Sequence, residues 1–360
     1  MIRGLPKTLR DVRPPARRLP HHRRPPMQTD PVAARPRFFD HVAATRADAC
    51  AELCRTLLEP TASIPPKFFY DRLGSALFGA ITELPEYYPT RTEAAIVAAH
   101  RDAIARRVGR GATLIDLGAG DCRKAASLLD VLAPAQYVAV DISSAFVSQA
   151  LDALQRQHPA LDTVGVGTDF AEALWLPDAV RAARRIFFYP GSSIGNFAPA
   201  EACAFLARLR AQAGGDGGLL IGVDLVKPVA VLEAAYDDPL GVTAAFNLNV
   251  LRHVNALIGA DFDVAGWAHV ARFDPAASRI EMHLEARHAC ELRWPGGARS
   301  FAAGERIHTE NSYKYTADSF SALLADAGWT TTQRWIDPRG WFALVHAVPR
   351  AGSTEGPAPA

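Results

Sequence analysis

Ten residues a third of the way along the chain, Leu114-Ile-Asp-Leu-Gly-Ala-Gly-Asp-Cys-Arg123, constrain its fold more than any other stretch. A short apolar run of buried-strand type leads into two glycines one residue apart, and a helical pattern follows at residues 125–132. Glycine allows a tight turn and lets the backbone approach a ligand that a side chain would exclude. Strand, glycine turn and helix are the opening unit of a doubly wound parallel sheet.

The pattern continues in that sense. Apolar runs at residues 137–142, 164–167, 186–189 and 219–226 read as further strands, the last after the turn Gly214-Gly-Asp-Gly-Gly218. Helical patterns at residues 92–107 and 145–155 fall around them, so the expectation is a parallel α/β sheet. The alternation stops between residues 227 and 315. It resumes with a Thr-capped helix at 316–327 and strands near 330–336 and 341–348. Upstream, residues 40–58 read as a helix, followed by a connection broken at Pro60, Pro65 and Pro66. The predicted architecture is a Rossmann-like sheet domain (residues 92–226 and 316–350). A second domain (residues 38–91 and 227–315) is inserted over its carboxyl edge, where open α/β sheets hold ligands.

Residues 1–37 are rich in Arg and Pro, without periodicity, and read as a disordered tail in which Met27 is a candidate start; residues 351–360 read as a second tail. With 39 Lys and Arg against 38 Asp and Glu, the net charge of +1 supplies no field for nucleic acid or a membrane, which favours a small-molecule substrate. The cysteines at positions 50, 54, 122, 203 and 290 form no CxxC pair, which argues against a disulfide framework or a zinc site. No apolar run reaches the ~20 residues of a membrane span and no signal-peptide core follows the basic start, so a cytoplasmic monomer is expected.

The loop favours a particular ligand. Dinucleotide-binding loops carry a third glycine where this chain has Arg123. Asp116 and Asp121 suit a cationic sulfonium and amino group better than a pyrophosphate. Asp141 lies 21 residues beyond Gly120 at the end of the second strand, where a carboxylate can accept from both ribose hydroxyls of an adenosine. Asp169 and Phe170, after the third strand, suit the adenine. Together they point to S-adenosylmethionine.

Five further motifs carry a family resemblance: Lys67-Phe-Phe-Tyr-Asp-Arg-Leu-Gly-Ser75, Leu84-Pro-Glu-Tyr-Tyr-Pro-Thr-Arg-Thr-Glu93, Tyr189-Pro-Gly-Ser-Ser-Ile-Gly-Asn-Phe197, Ala235-Tyr-Asp-Asp238 and Ile307-His-Thr-Glu-Asn-Ser-Tyr-Lys-Tyr315. From about Ile64 to Pro349 the chain resembles the L-histidine Nα-methyltransferases of ergothioneine biosynthesis. The resemblance implies a class I methyltransferase sheet with an inserted substrate domain, and three methylations of the histidine α-amine to hercynine. It implies cofactor contacts at Gly118, Lys124, Asp141, Asp169 and Phe170, and histidine contacts at Tyr87, Asn196, Tyr236, Glu310 and Ser312. Tyr70, on the cofactor side, and Met282, on the substrate side, are implied as additional pocket residues. Tyr87 and Asn196 would serve the chemistry directly. Fungal 4-dimethylallyltryptophan N-methyltransferases share these motifs, which keeps tryptophan or a prenylated tryptophan as an alternative acceptor. A non-catalytic S-adenosylmethionine-binding regulator is the alternative outside enzymes, and the intact glycine loop argues against it.

The residue types suit that chemistry. Methyl transfer to an amine is an in-line displacement that depends on aiming a neutral nitrogen lone pair. The Asn196 amide can donate to a carboxylate while its carbonyl accepts from an amine. A methylated ammonium is best accommodated against aromatic faces, for which Tyr70, Tyr87, Tyr88 and Phe246 are candidates. Glu310 and Ser312, two apart on an extended segment, share a face and can grip the two nitrogens of an imidazole. The competing reading pairs Glu310 with Lys314 as a surface salt bridge. His308-Thr-Glu310 resembles the start of a zinc-deaminase signature, but its Pro-Cys-x-x-Cys partner is absent.

Overall fold

The computed structural model of the protein describes residues 35–351. Residues 1–34 of the first expected tail (1–37), with the candidate start at Met27, and residues 352–360 of the second (351–360) lie outside the described residues.

Eight strands form the large sheet. They are β1 (Arg37–Asp40), β2 (Thr113–Leu117), β3 (Gln136–Asp141), β4 (Thr163–Gly167), β5 (Arg185–Tyr189), β6 (Gly218–Asp224), and the late pair β12 (Trp329–Ile336) and β13 (Phe342–Pro349). Their spatial order is β1-β4-β3-β2-β5-β6-β13-β12, parallel except for β13, which is antiparallel to both neighbours. This is the expected Rossmann-like α/β sheet. Strands β2, β4 and β6 are buried along their whole length, which is why they read as unbroken apolar runs.

Helices cover both faces. One carries α3 (Tyr88–Val108), α4 (Arg123–Leu132) and α5 (Ser144–Gln157), over a core of Ile104, Leu128, Tyr137, Leu151 and Phe342. The other carries α6 (Pro199–Ala213) and α9 (Ala317–Asp326), over Val138, Phe187, Phe205, Ile221 and Trp329. Thr316 caps α9 as expected, accepting from Ser319 N at 3.0 Å. No helix crosses between β4 and β5, where Pro177 interrupts a run of turns.

The remaining elements share a third core. They are α1 (Val42–Leu58), a 3₁₀ turn (Pro66–Phe69), α2 (Arg72–Thr82), α7 (Val229–Tyr236), α8 (Val242–Ile258), an antiparallel sheet and a hairpin. The sheet runs β11-β8-β7 (β7, Trp267–Asp274; β8, Arg279–Ala286; β11, Arg306–Tyr313), and the hairpin pairs β9 (Cys290–Trp294) with β10 (Gly297–Phe301). Leu53, Phe69, Leu232, Val250, Ile280, Leu284 and Ile307 pack in this core, apart from the two beside the large sheet. It draws on residues 53–88 and 232–307, the two stretches assigned above to the second domain.

Two boundaries are corrected. Residues 37–40, divided above between a tail and the second domain, form the edge strand β1, held by ladder bonds to β4 in the register Arg37–Val164 to Asp40–Gly167. The ring of Phe38 lies where a Cβ on Gly165 would project, so that glycine makes room for the strand. Helix α3 starts at Tyr88, four residues earlier than expected, because Pro89 occupies its first turn and lacks the N–H that would go unpaired there.

Candidate active site

The carboxyl ends of β2 to β6 carry one half of the site. After β2 the chain turns through Gly118 (φ +69°) and Gly120 (φ +51°), a conformation that L side chains rarely adopt. The turn is held by its own backbone: Gly118 N and Ala119 N both donate to Val140 O, at 2.9 and 3.1 Å. Asp141, at the end of β3, accepts from Gly120 N at 2.9 Å and from Ser143 N at 2.8 Å, and burial raises its pKa. Phe170 is the nearest group to the open side of Gly118, 3.9 Å from a Cβ built there, and meets Tyr189 edge-on at 5.9 Å.

Asp169 forms an ion pair with Lys67 at 3.0 Å, and Ser143 Oγ donates to Tyr70 O at 2.7 Å. The first aromatic motif is thereby fastened to two strand ends. Its Asp71 caps α2 through Gly74 N at 2.7 Å, and a Cβ on Gly74 would fall 1.7 Å from Phe69 O, so only glycine fits. A cleft of about 1360 Å³ opens beside Lys67, Tyr70, Ser143 and Asp169.

Tyr70 also lines a second, smaller pocket, with Phe78, Tyr87, Asn196, Tyr236, Phe246, Met282, Glu310 and Ser312. Its walls are aromatic, with ring centroids at 5.9 Å for Tyr70–Phe78, 6.0 Å for Tyr70–Phe246, 6.2 Å for Phe78–Tyr87 and 6.4 Å for Tyr87–Tyr236. Arg91 ties down the loop that presents Tyr87, donating to Leu84 O at 2.6 Å and Tyr87 O at 3.1 Å. Asp238 accepts from Val242 N and Thr243 N in the first turn of α8, just after Tyr236. Asn196 sits on a 3₁₀ turn (Ser193–Asn196) pressed against β11, where a Cβ on Gly195 would lie 2.9 Å from Tyr313 O.

Glu310 and Ser312 project from β11 into this pocket, as their spacing predicts. Glu310 accepts from Asn196 Nδ2 at 3.1 Å and is only 8% exposed; burial pushes its carboxyl up to about 7. The surface salt bridge to Lys314 does not form. Lys314 is itself buried and spends its ammonium on Asp224 at 2.9 Å, Ser312 Oγ at 2.7 Å and the Tyr236 hydroxyl at 3.1 Å. Asp224, at the end of β6, also takes Lys227 at 2.6 Å and the Tyr88 hydroxyl at 2.6 Å.

All the substrate-side residues proposed from the motifs, Tyr87, Asn196, Tyr236, Met282, Glu310 and Ser312, thus line one pocket. On the cofactor side, contacts join Gly118 with Phe170 and Asp141 with the glycine turn. Lys124 stands apart, paired with the buried Glu93 at 2.8 Å; Glu93 also accepts from Gly191 N. Three readings are corrected. Tyr88 is no pocket wall, because its ring packs on Trp341 and its hydroxyl is committed to Asp224. Asp116 is buried beneath the loop, accepting from Tyr137 at 2.8 Å, and burial raises its carboxyl to about 7. Asp121 pairs on the surface with Arg123. Phe78 was missed: on α2 it reads as an ordinary apolar face, and only the packing of α2 on α8 turns it toward the pocket.

The donor set fits S-adenosylmethionine. A turn opened by two glycines lies beside a carboxylate that accepts from backbone N–H groups and keeps further acceptor capacity, and an aromatic ring stands at the turn's open side.

The chain is similar to known proteins. The chain is 41% identical over 313 residues to a histidine N-alpha-methyltransferase of Mycolicibacterium smegmatis, covering 84% of this chain and 97% of that one. It is 42% identical over 294 residues to a histidine N-alpha-methyltransferase of Mycobacterium tuberculosis, covering 79% and 90%. Among solved structures, the CcbJ methyltransferase from Streptomyces caelestis aligns over 76% of this chain and 96% of that one, with 17% identity and a TM-score of 0.42. The profile of a family described as histidine-specific methyltransferase, SAM-dependent, matches residues 49–349, and the chain belongs to that family of enzymes.

Proposed function

We propose that this methyltransferase acts on the α-amine of L-histidine, three times in succession, to give hercynine, the first step of ergothioneine biosynthesis. One observation carries the reading. A single aromatic-walled pocket holds a buried carboxylate and a hydroxyl two residues apart on one strand face. A ring with two nitrogens satisfies both. An indole brings one N–H and no second ring nitrogen, leaving a buried polar group unpaired, which is expensive.

S-adenosylmethionine, when bound, supplies the electrophilic methyl group. The chain's own residues orient the acceptor. Asn196 gives one amide proton to Glu310, and its carbonyl oxygen remains to accept from the α-amine. Tyr70, Phe78, Tyr87 and Phe246 offer faces for the growing cationic head, which loses its donors as it is methylated. On the donor side we assign Gly118, Asp141, Asp169, Phe170 and Tyr70 to the cofactor. Lys124 joins them by exchanging Glu93 for the cofactor's carboxylate.

The same reading assigns the third core to substrate binding and the large sheet to the cofactor, in a cytoplasmic monomer whose partner is a small molecule. Near-neutral charge and unpaired cysteines support it, and no helix among the described residues is long and apolar enough to cross a membrane. Incubating the protein with S-adenosylmethionine and a panel of amino acids, then reading mass, tests the central claim. Histidine should gain one, two and three methyl increments. No gain on histidine, or a larger one on tryptophan, overturns it.

A further inference from the structure

The Ser312 hydroxyl is wired in one direction. A serine hydroxyl ordinarily rotates to donate or accept as its partner requires. Here its oxygen receives the Lys314 ammonium at 2.7 Å and the Tyr236 hydroxyl at 2.7 Å, which uses both lone pairs. Tyr236 cannot take the Ser312 proton in return, because it donates to Ser312 and itself accepts from Lys314 at 3.1 Å. The third Lys314 proton is held by Asp224 at 2.9 Å. Every other direction being occupied, the Ser312 proton points into the pocket that the residue lines. Two residues back on the same strand face, Glu310 binds Asn196 through one carboxylate oxygen and keeps the other as an acceptor.

We propose that Lys314 is a positioning residue that makes Ser312 an obligatory hydrogen-bond donor, so that Ser312 and Glu310 together admit a ring with one N–H and one bare nitrogen: neutral imidazole in a single tautomer. The inference rests on the histidine reading and adds to it a residue, a direction and a protonation state. An imidazolium, with N–H on both sides, would set a proton against the Ser312 proton. A pyrrole, with a C–H in place of the bare nitrogen, would leave that proton unpaired. Lys314 touches no substrate atom in this scheme. Its ammonium is held by Asp224, which Lys227 shares.

The test compares kcat and KM for L-histidine with those for β-(pyrrol-2-yl)alanine and β-(pyrrol-3-yl)alanine, which between them replace each ring nitrogen by C–H; the pyrrole that keeps its N–H toward Glu310 is the one compared below. In the native protein the pyrrole should raise KM by about 10- to 100-fold, the effect of stranding one buried donor. In Lys314→Met both oxygens lose the ammonium, so the Ser312–Tyr236 bond can reverse, with the tyrosine proton turned into the pocket and the Ser312 proton given to Tyr236; the KM ratio should then collapse to about threefold or less, with the KM for S-adenosylmethionine unchanged. A merely structural lysine would raise both amino-acid KM values together and preserve the ratio, which overturns the proposal. Should Lys314→Met not fold, two other variants decide. Ser312→Ala should abolish the ratio. Tyr236→Phe should keep it, because Lys314 cannot accept and the Ser312 proton still has only the substrate; a ratio lost in Tyr236→Phe assigns the wiring to the tyrosine and overturns the role of Lys314. If the native enzyme does not methylate histidine, the functional reading fails. If it does, but with a ratio near one, this inference alone fails.

Discussion

The turn after β2 and the strand β11 are built from opposite materials. At the turn the backbone does the work: Gly118 and Gly120 hold positive φ, and their amides are fixed by Val140 O and Asp141. On β11 the backbone is ordinary ladder, with one shift of register between His308 and Glu310, and the side chains do the binding. Glu310 and Ser312 face the pocket and Lys314 follows just beyond the strand, all three buried. A backbone cradle suits a methyl donor common to many reactions. A directed array of side chains suits the one acceptor that must be told apart from other amino acids. The sheet that carries the turn meets β11 at Asp224, where the end of β6 binds Lys314 from beyond β11, Lys227, and Tyr88 from α3.

That junction is where the comparison is most easily broken. Asp224→Ala leaves two lysines with fully buried side chains and no carboxylate between them. Removing one partner of a buried ion pair costs about 3–5 kcal/mol, so the unfolding free energy from urea titration should fall by that amount. Burial already lowers the Lys227 pKa to about 8, and without Asp224 it should fall further. A loss below about 1 kcal/mol, within the range of exposed pairs, would mean that the cluster does not join the large sheet to β11.

A smaller effect separates the regions by pH. Burial lifts the Glu310 pKa from 4.5 in the unfolded chain to about 7 in the folded one. Between those values the folded protein keeps a proton that the unfolded chain has released. The contribution of Glu310 is therefore most favourable below pH 4.5 and is lost as the pH rises to about 7, by on the order of 2–3 kcal/mol. Glutamine carries no such proton. The stability of Glu310→Gln relative to the native protein should therefore improve between pH 4.5 and 7, and level off above. Unfolding curves at several pH values check this, and a difference independent of pH would show that Glu310 ionises freely in the pocket.

The same contrast explains what the sequence disclosed. The large sheet was readable because buried parallel strands are written as short apolar runs and the glycine turn has no substitute in other residue types. Strand β1 was not, because four residues at the end of an Arg- and Pro-rich stretch carry no period. In the third core, β8 did alternate, with Ile280, Met282, Leu284 and Ala286 in step. Its intervening Glu281 and His283 are buried too, paired with each other at 3.0 Å, which hid the element behind polar residues. The pocket residues came from motif resemblance, since no period places Tyr87, Asn196 and Glu310 together. Lys227 and Lys314 were illegible for a physical reason: lysine is almost never fully buried unless paired, and their partner Asp224 is remote from Lys314 in the chain. Reading Lys314 as a surface partner of Glu310 followed from that prior.

The smallest effect falls on the turn itself. At Gly118 an alanine Cβ would meet only the Phe170 ring, at 3.9 Å, an ordinary contact. What remains is the backbone conformation: at φ +69° an L residue costs about 1–2 kcal/mol. If binding the donor requires the turn as it stands, Gly118→Ala weakens S-adenosylhomocysteine binding by about tenfold in a calorimetric titration, because relaxed turns must be restored before the ligand seats. The KM for histidine, set by side chains on β11 and in the aromatic wall, should hold within about twofold at saturating donor. A histidine KM that rises in parallel with the loss of donor affinity would mean that the turn also shapes the acceptor pocket, and the division between a backbone-built and a side-chain-built half would have to be given up.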